Sequence, residues 1–476
     1  MISTPTLQAT KQRLASHYLT RLRAAERALQ QSTVNKQYGK NLLDKEWLHI
    51  TRWQQHAASM RHTSEDWAQL CRDYGRESIN TIFFTCTTLE RIAWWTAALE
   101  GARQVGDTYF ERTFLNKLAG EYSALGQLDQ VKAYALELFS LAQKDNDQSF
   151  IANAIYQLAT IAEDQGNYDE AVEYYEQALA HYERVNFEVK IGRTVYGLGT
   201  IALYRGRYAE AHQYFMRYRD LTVKPGREVD HCYALQGVAE TLQNLGQLEE
   251  AESIFRQAVN LSRQIGFQNA VGPSLIGLGT CLLNRGKIND AFSELVEGLG
   301  IAREYSGIGD VLHALTSLGR ACWQLGQFER ALSYLLEAQE KATQSELRLH
   351  QARIHRYLGL VYLELGQIEN SRKHFRDMML ANRQLGSVPE AHQALLFAAF
   401  YAVRMGLAQV GVHWFRAVLE GLTSEDPVAV QVRRELVSAL GAARYQALLE
   451  QREVLSVEAA HQQVIQQLEQ TARYPE

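Results

Sequence analysis

The chain has 476 residues, 46% hydrophobic and 22% charged, with a net charge of −5. That composition supplies ample apolar surface for a large core and excludes global disorder. The six prolines leave room for an almost wholly helical chain, because proline breaks helix interiors. Met1 to Gln12 lacks the apolar run of a secretory signal, and no uncharged apolar stretch approaches about 18 residues. The five cysteines form no CxxC pair and have no zinc-like spacing to histidine. A cytoplasmic, reducing setting without disulfides or membrane contact is therefore expected.

In chain order, residues 1–111 read as a helical amino-terminal region. Helix-forming residues run from Lys11 to Gln31, a second helix is expected over Asp44 to Met60, and a third starts near Ser64, whose followers Glu65 and Asp66 suit a first turn. Residues 1–64 carry ten Lys/Arg against three Asp/Glu, a net +7, leaving −12 for the rest. Such a basic segment raises nucleic acid as a partner. Solvated helical faces explain it more simply, and no helix-turn-helix signature accompanies it, so nucleic acid is disfavoured.

The dominant feature is a repeat. Gly126, Gly166, Gly206, Gly246, Gly286, Gly326, Gly366 and Gly406 are spaced 40 residues apart. Seven residues before each stands a small residue (Ala119, Ala159, Gly199 and their equivalents). Two after it comes a mostly apolar residue, five after it in most units a small one, and nine after it a large apolar one such as Tyr175, Phe215 or Phe255. Glycine suits a left-handed helix cap. The small residues allow two helices to approach, and the large one fills the gap between them and the next unit. Each unit is thus a helix–turn–helix that buries its apolar face only against neighbours. Eight such units are assigned to 112–431, with a degenerate ninth at 72–111 in which Trp95 and Ala98 keep the phase. Pro225, Pro389 and Pro427 fall near junctions, and Pro273 is placed in a first helical turn. Residues 432–476 are read as two capping helices, the last with Ser456 as N-cap.

These units resemble the tetratricopeptide repeat. Gly166–Asn167–Tyr168–Asp169–Glu170–Ala171, followed by Tyr175 and Ala178, matches it best, although the period is 40 rather than the usual ~34. The fold expected is all-α: a right-handed superhelical solenoid of antiparallel helix pairs with helical caps at both ends. The flanks, including Leu43–Asp44–Lys45–Glu46–Trp47, Trp94 to Glu100 and Leu440 to Ala460, resemble those around the repeats of STAND-type signalling ATPases and related bacterial transcriptional activators. Those proteins carry an ATPase that this chain's sequence does not show: no GxxxxGK[ST] occurs, and Gly39–Lys40–Asn41 and Gly286–Lys287–Ile288 are poor substitutes. The resemblance therefore implies the sensor half of a switch. No GxSxG, HExxH or GxGxxG motif occurs either, so an enzyme is not expected, and neither a cofactor nor a metal is implied.

The resemblance also implies that the first helix of each unit lines a concave groove, with the second, fifth, ninth, twelfth and thirteenth positions inward, counted from residues 152, 192 and so on. The lining then includes Asn153, Tyr156, Thr160, Arg193, Tyr196, Thr200, Tyr204, Tyr233, Gln236 and Glu240, and further on His313, Thr316, Arg320, Trp323, Arg353 and Arg356. The tyrosines suggest an aromatic strip. Arg320, Arg353 and Arg356 suggest a positive cluster for carboxylates, unless local acids such as Glu364 pair with them. The family's Lys/Asn clamp for chaperone tails is absent: Tyr156 and Thr160, then Tyr196 and Thr200, stand at its positions. The expected function is a non-catalytic scaffold or sensor that takes a protein or peptide along this groove. The rivals are a regulator touching nucleic acid through residues 1–64 and a small-molecule sensor. Homo-oligomerisation through the exposed solenoid edges is left open.

Overall fold

The computed structural model describes residues 4–29, 33–79, 81–343, 347–385, 387–419, 427–451 and 454–470. These residues form 23 α-helices and one short 3-10 helix, with no strand among them. No described helix is long and apolar enough to cross a membrane. The chain divides into two compact units, residues 1–194 and 195–476.

The first unit holds α1 (Thr4–Leu29), α2 (Thr33–Met60), α3 (Glu65–Arg76), α4 (Thr88–Gln104), α5 (Thr108–Ala124), α6 (Leu128–Lys144), α7 (Gln148–Asp164) and α8 (Tyr168–Arg184). The division falls within α9 (Glu188–Tyr204). The second unit continues with α10 (Tyr208–Thr222), α11 (Glu228–Asn244), α12 (Leu248–Gln264), α13 (Gln268–Asn284), α14 (Ile288–Tyr305), α15 (Ile308–Gln324) and α16 (Phe328–Thr343). It ends with α17 (Arg348–Glu364), α18 (Ile368–Leu385), α19 (Val388–Arg404), α20 (Ala408–Arg416), α21 (Pro427–Leu440), α22 (Ala442–Leu449) and α23 (Val457–Gln470).

From α4 to α20 every helix begins twenty residues after the previous one. The eight glycines spaced by 40 supply half of the turns, with φ between +68° and +79°. Five of the intervening turns also hold a residue of positive φ, at Gly106, Asn146, Asn186, Gly226 and Gly266, whereas Ser306 is extended at φ −115°. Asparagine is the side-chain-bearing residue that tolerates this region best. The carbonyls left over at the helix ends are met in Schellman fashion, for example Ala162 O accepting from Asn167 N at 2.8 Å. Long helices thus follow one another, most of them with three-residue connections.

The small-for-large exchange is real packing. A Cβ built on Gly319 would meet Leu335 Cγ at 2.6 Å, and one on Gly279 would meet Leu295 Cγ at 2.6 Å. Phe215 and Phe255 fill their gaps almost completely buried. Ser456 accepts from Ala459 N, so the expected cap of the last helix forms, and Ser64 caps α3 by accepting from Trp67 N. The second helix starts earlier than expected, at Thr33, and Gly39 within it lets Ala28 and Leu29 of α1 pack close. Pro273 departs from expectation. It is the sixth residue of α13, beyond the first turn, and so removes a bond the helix would otherwise make.

Within each unit the first helices of successive pairs touch: α3 with α5 and α5 with α7, then α11 with α13, α13 with α15, α15 with α17 and α17 with α19. They form an inner layer, as required of a concave wall. In residues 195–476 this layer curls until distant turns meet. Ser387 Oγ donates to Tyr204 O at 3.2 Å, and a Cβ on Gly206 would lie 2.5 Å from Pro389 Cγ.

Candidate functional site

The helices begin at 148, 188, 228 and so on, four residues before the register used to choose inward positions. The face pointing inward therefore extends one further helical turn toward the amino terminus. Asp310, His350 and Glu390, one turn before His313, Arg353 and Gln393, belong to it, as does Lys190 one turn before Arg193. Sequence reasoning missed all four. The Asn and Gly at 146, 186, 226 and 266 were the signal, because they mark where the preceding helices end.

In residues 195–476 the inner wall gathers charges of both signs. Arg353 Nε and Nη2 donate to Glu390 Oε1 at 2.8 and 2.6 Å, and Arg356 Nη2 donates to Glu390 Oε2 at 2.6 Å. The positive cluster expected of Arg320, Arg353 and Arg356 is thereby corrected: two of its three members share one carboxylate. Glu390, in the first turn of α19, is that acid. Glu364 instead reaches Arg404 at 3.5 Å. Arg356 is buried and lies over the Phe397 ring, 5.2 Å from its centre. Burial alone would push the Glu390 carboxyl up, but the two guanidiniums outweigh it and hold it down at about 2.

Around this knot lie groups without a full counter-charge. Glu240 on α11 is reached by solvent yet walled by protein, and its pKa is raised by burial, with Arg353 opposing. Asp310 on α15 is also raised by burial. His313 is pushed down to about 3, first by burial and then by Arg353 and His350; His350 falls to about 4 through burial and Arg353, with Glu390 opposing. Tyr208 rises to about 12 through burial and the charge of Glu390. Side chains from α10, α11, α15, α17 and α19 thus share one electrostatic environment, neutral histidines beside retained acids.

The remaining predicted positions divide. Gln236 donates to Ala270 O at 3.0 Å and Ser274 Oγ at 2.7 Å and so ties α11 to α13, whereas Thr316 is buried and donates within its own helix to Leu312 O. Thr200 donates to its own helix at Tyr196 O. Arg320 and Trp323 are half-buried, with Trp323 6.5 Å from Tyr357. Tyr196 packs on Phe215 and Tyr218, and Tyr233 packs edge-on to Phe267. Both, with Tyr204, keep partial exposure.

In residues 1–194, Asn153 is buried and accepts from the Tyr182 hydroxyl at 2.8 Å, a packing role. Thr160 bonds within its helix. Tyr156 packs on Tyr175, whose hydroxyl donates to Glu163 at 2.6 Å. The Lys190 ammonium lies 5.5 Å from the centre of the Tyr156 ring, and Arg193 is exposed nearby on the same helix. The basic amino-terminal segment spends part of its charge internally, through Arg21–Glu46 and Arg23–Glu77, both 3.0 Å, and Arg61–Glu100.

Residues 176–354 match the family model of the MalT-like TPR region, and residues 152–184 match that of the tetratricopeptide repeat. No curated protein matches the chain. Two of the solved structures that share the fold illustrate it. The apo form of the quorum sensor NprR from B. thuringiensis superposes with a TM-score of 0.53 at 12% identity, covering 79% of this chain and 99% of that one. A Rap protein complexed with competence and sporulation factor gives 0.53 at 16% identity, covering 82% and 100%. The chain is an all-α, tetratricopeptide-type solenoid similar to MalT-like regions.

Proposed function

We propose that this tetratricopeptide-repeat chain is a non-catalytic sensor or scaffold that takes a peptide, or a peptide-like segment of a protein, on the inner wall of residues 195–476. One observation carries the reading. Glu240, Asp310, His313 and His350 sit on that wall, touched by solvent yet set among protein, beside the Arg353–Glu390–Arg356 knot. Such groups give a ligand directional polar contacts at low reorganisation cost. The preformed wall adds large contact area. Among proteins of like fold, one is a quorum sensor and one is a Rap protein in complex with competence and sporulation factor, which supports a signalling or regulatory setting.

Catalysis is the weaker reading because the candidate groups are chemically quiet. Histidines held near 3 and 4 are poor bases at neutral pH. Burial pushes the thiols of Cys71 to about 12 and of Cys86, Cys232 and Cys281 to about 11, so none is a ready thiolate. The test is affinity capture from native cell extract, comparing wild type with Glu240→Gln/Asp310→Asn/Tyr233→Ala. A protein retained by wild type and lost from the variant supports the inner wall. An identical captured set removes the assignment. Capture of nothing by either favours a small-molecule sensor.

A further inference from the structure

A second cluster lies on the inner layer of residues 1–194, in different chemistry. Lys117 on α5, Tyr156 on α7, and Lys190 and Arg193 on α9 come from first helices of successive pairs. Lys117 and Lys190 repel each other across the intervening α7, and Arg193 adds to that repulsion. Among the described residues, none of the three cations has a carboxylate within ion-pair distance. The nearby acids are already engaged: Glu121 takes three bonds from Arg91, and Glu163 accepts from Tyr175. Arg112, on the same α5, pairs with Asp145 and Asp147 and adds no further free charge.

Lys190 lies against the Tyr156 ring, whereas Lys117 lies 5.3 Å from the centre of the Phe83 ring and is partly offset by Glu121 and Glu26; cations crowded in this way are costly, and such a site gains when an anion arrives. Lys190 records that cost: burial first, then Arg193 and Lys117, push its ammonium down to about 8. Lys117 is also lowered, chiefly by burial. Next to Lys117, at the register of Tyr156 one unit earlier, the Asn116 side-chain oxygen is buried with no partner among the described residues. A backbone N–H inserted at this register would satisfy it, after a small rotation of the half-buried side chain. Inorganic phosphate offers only its own hydroxyl and no backbone that would carry a donor to Asn116 while its charge meets the cations.

We propose that Lys117, Lys190 and Arg193, with Tyr156 and Asn116, form a recognition subsite for an acidic peptide segment. The proposal rests on the recognition reading above, but it names a separate wall and a ligand charge that reading does not specify. Glutamate or aspartate side chains bridge the cations, an aliphatic stem lies on Tyr156, and the peptide backbone meets Asn116.

The test is calorimetric titration of the full chain with N-acetylated, C-amidated tetraglutamate. Tetraglutamine with the same ends and inorganic phosphate serve as comparison probes. Tetraglutamate binds, Lys117→Gln/Lys190→Gln weakens it by about a hundredfold, tenfold per cation, and added salt weakens it further. At pH 8 the wild type takes up about half a proton on binding, because the anion restores the Lys190 proton. This is read from the dependence of the heat on buffer ionisation enthalpy. Lys190→Arg keeps the affinity and loses the uptake, since arginine is already charged. Helix content by circular dichroism confirms that the variants fold. Binding unchanged in the double variant, tetraglutamine binding equally, or phosphate binding as tightly as the peptide would each overturn the proposal. Its failure with capture by residues 195–476 intact removes only the acidic subsite. Loss of both removes the recognition reading itself.

Discussion

Glu390→Gln probes the knot on which the inner wall of residues 195–476 is built. Glu390 and Arg356 are 7% and 6% exposed, so losing the carboxylate leaves Arg356 buried beside a neutral amide. Removing one partner of a buried pair costs about 3–5 kcal/mol. The shift of Glu390 from 4.5 to about 2 gives a comparable figure, about 3 kcal/mol at ~1.4 per unit. Glutamine retains one acceptor and Arg353 keeps some solvent, so the expected loss is about 2–3 kcal/mol. Repeat arrays open locally, so hydrogen exchange is the suitable assay. Amide protection in α17 and α19 should fall by about a hundredfold at pH 7. The stabilisation comes from a depressed carboxyl. It is therefore fully present above the unfolded value near 4.5 and lost as pH falls toward about 2. Urea unfolding of wild type and variant should converge across that window. A change in protection below about fivefold, or a gap that persists at pH 2, refutes the ion-pair account.

Three further outcomes are expected. Gly246→Ala places a side chain at φ +79° in otherwise open space and should lose about 1–2 kcal/mol in thermal unfolding, whereas Asn146→Gly, at φ +53°, should be neutral or slightly stabilising. Gly206→Ala shares that geometry but also meets Pro389 at 2.5 Å, so its loss should exceed that of Gly246→Ala by at least about 1 kcal/mol; equal losses would argue against the contact between the two turns. Maleimide labelling at pH 7 should leave Cys71, Cys232, Cys281 and Cys322 of the native chain unmodified while modifying them in denaturant, since all four are buried and their pKa values are raised. Rapid native labelling of any of the four would show that its helix pair opens.

The sequence by itself determined the repeat, its glycine caps and its packing exchange. Gly126 to Gly406 end helices because a left-handed turn costs glycine least, and Gly279 and Gly319 admit Leu295 and Leu335 because they lack a Cβ. These are local requirements, so they recur visibly at a fixed spacing. Where each helix begins was less legible. Asn146 and Asn186 stand in for glycine, and reading only the glycines placed the inward register one turn late.

Only the tertiary structure decided which charges meet. Arg353 and Arg356 lie 37 and 34 residues from Glu390, on the next first helix, and the expected acid, Glu364, faces Arg404 instead. Likewise Lys117 and Lys190 are brought together across two helix pairs, while Asn153 and Gln236, polar and correctly spaced, turn into packing partners. The physical reason is curvature. Caps and small residues fix each hairpin, but the angle between hairpins accumulates from many side-chain contacts, and that sum sets which inner faces come within electrostatic reach.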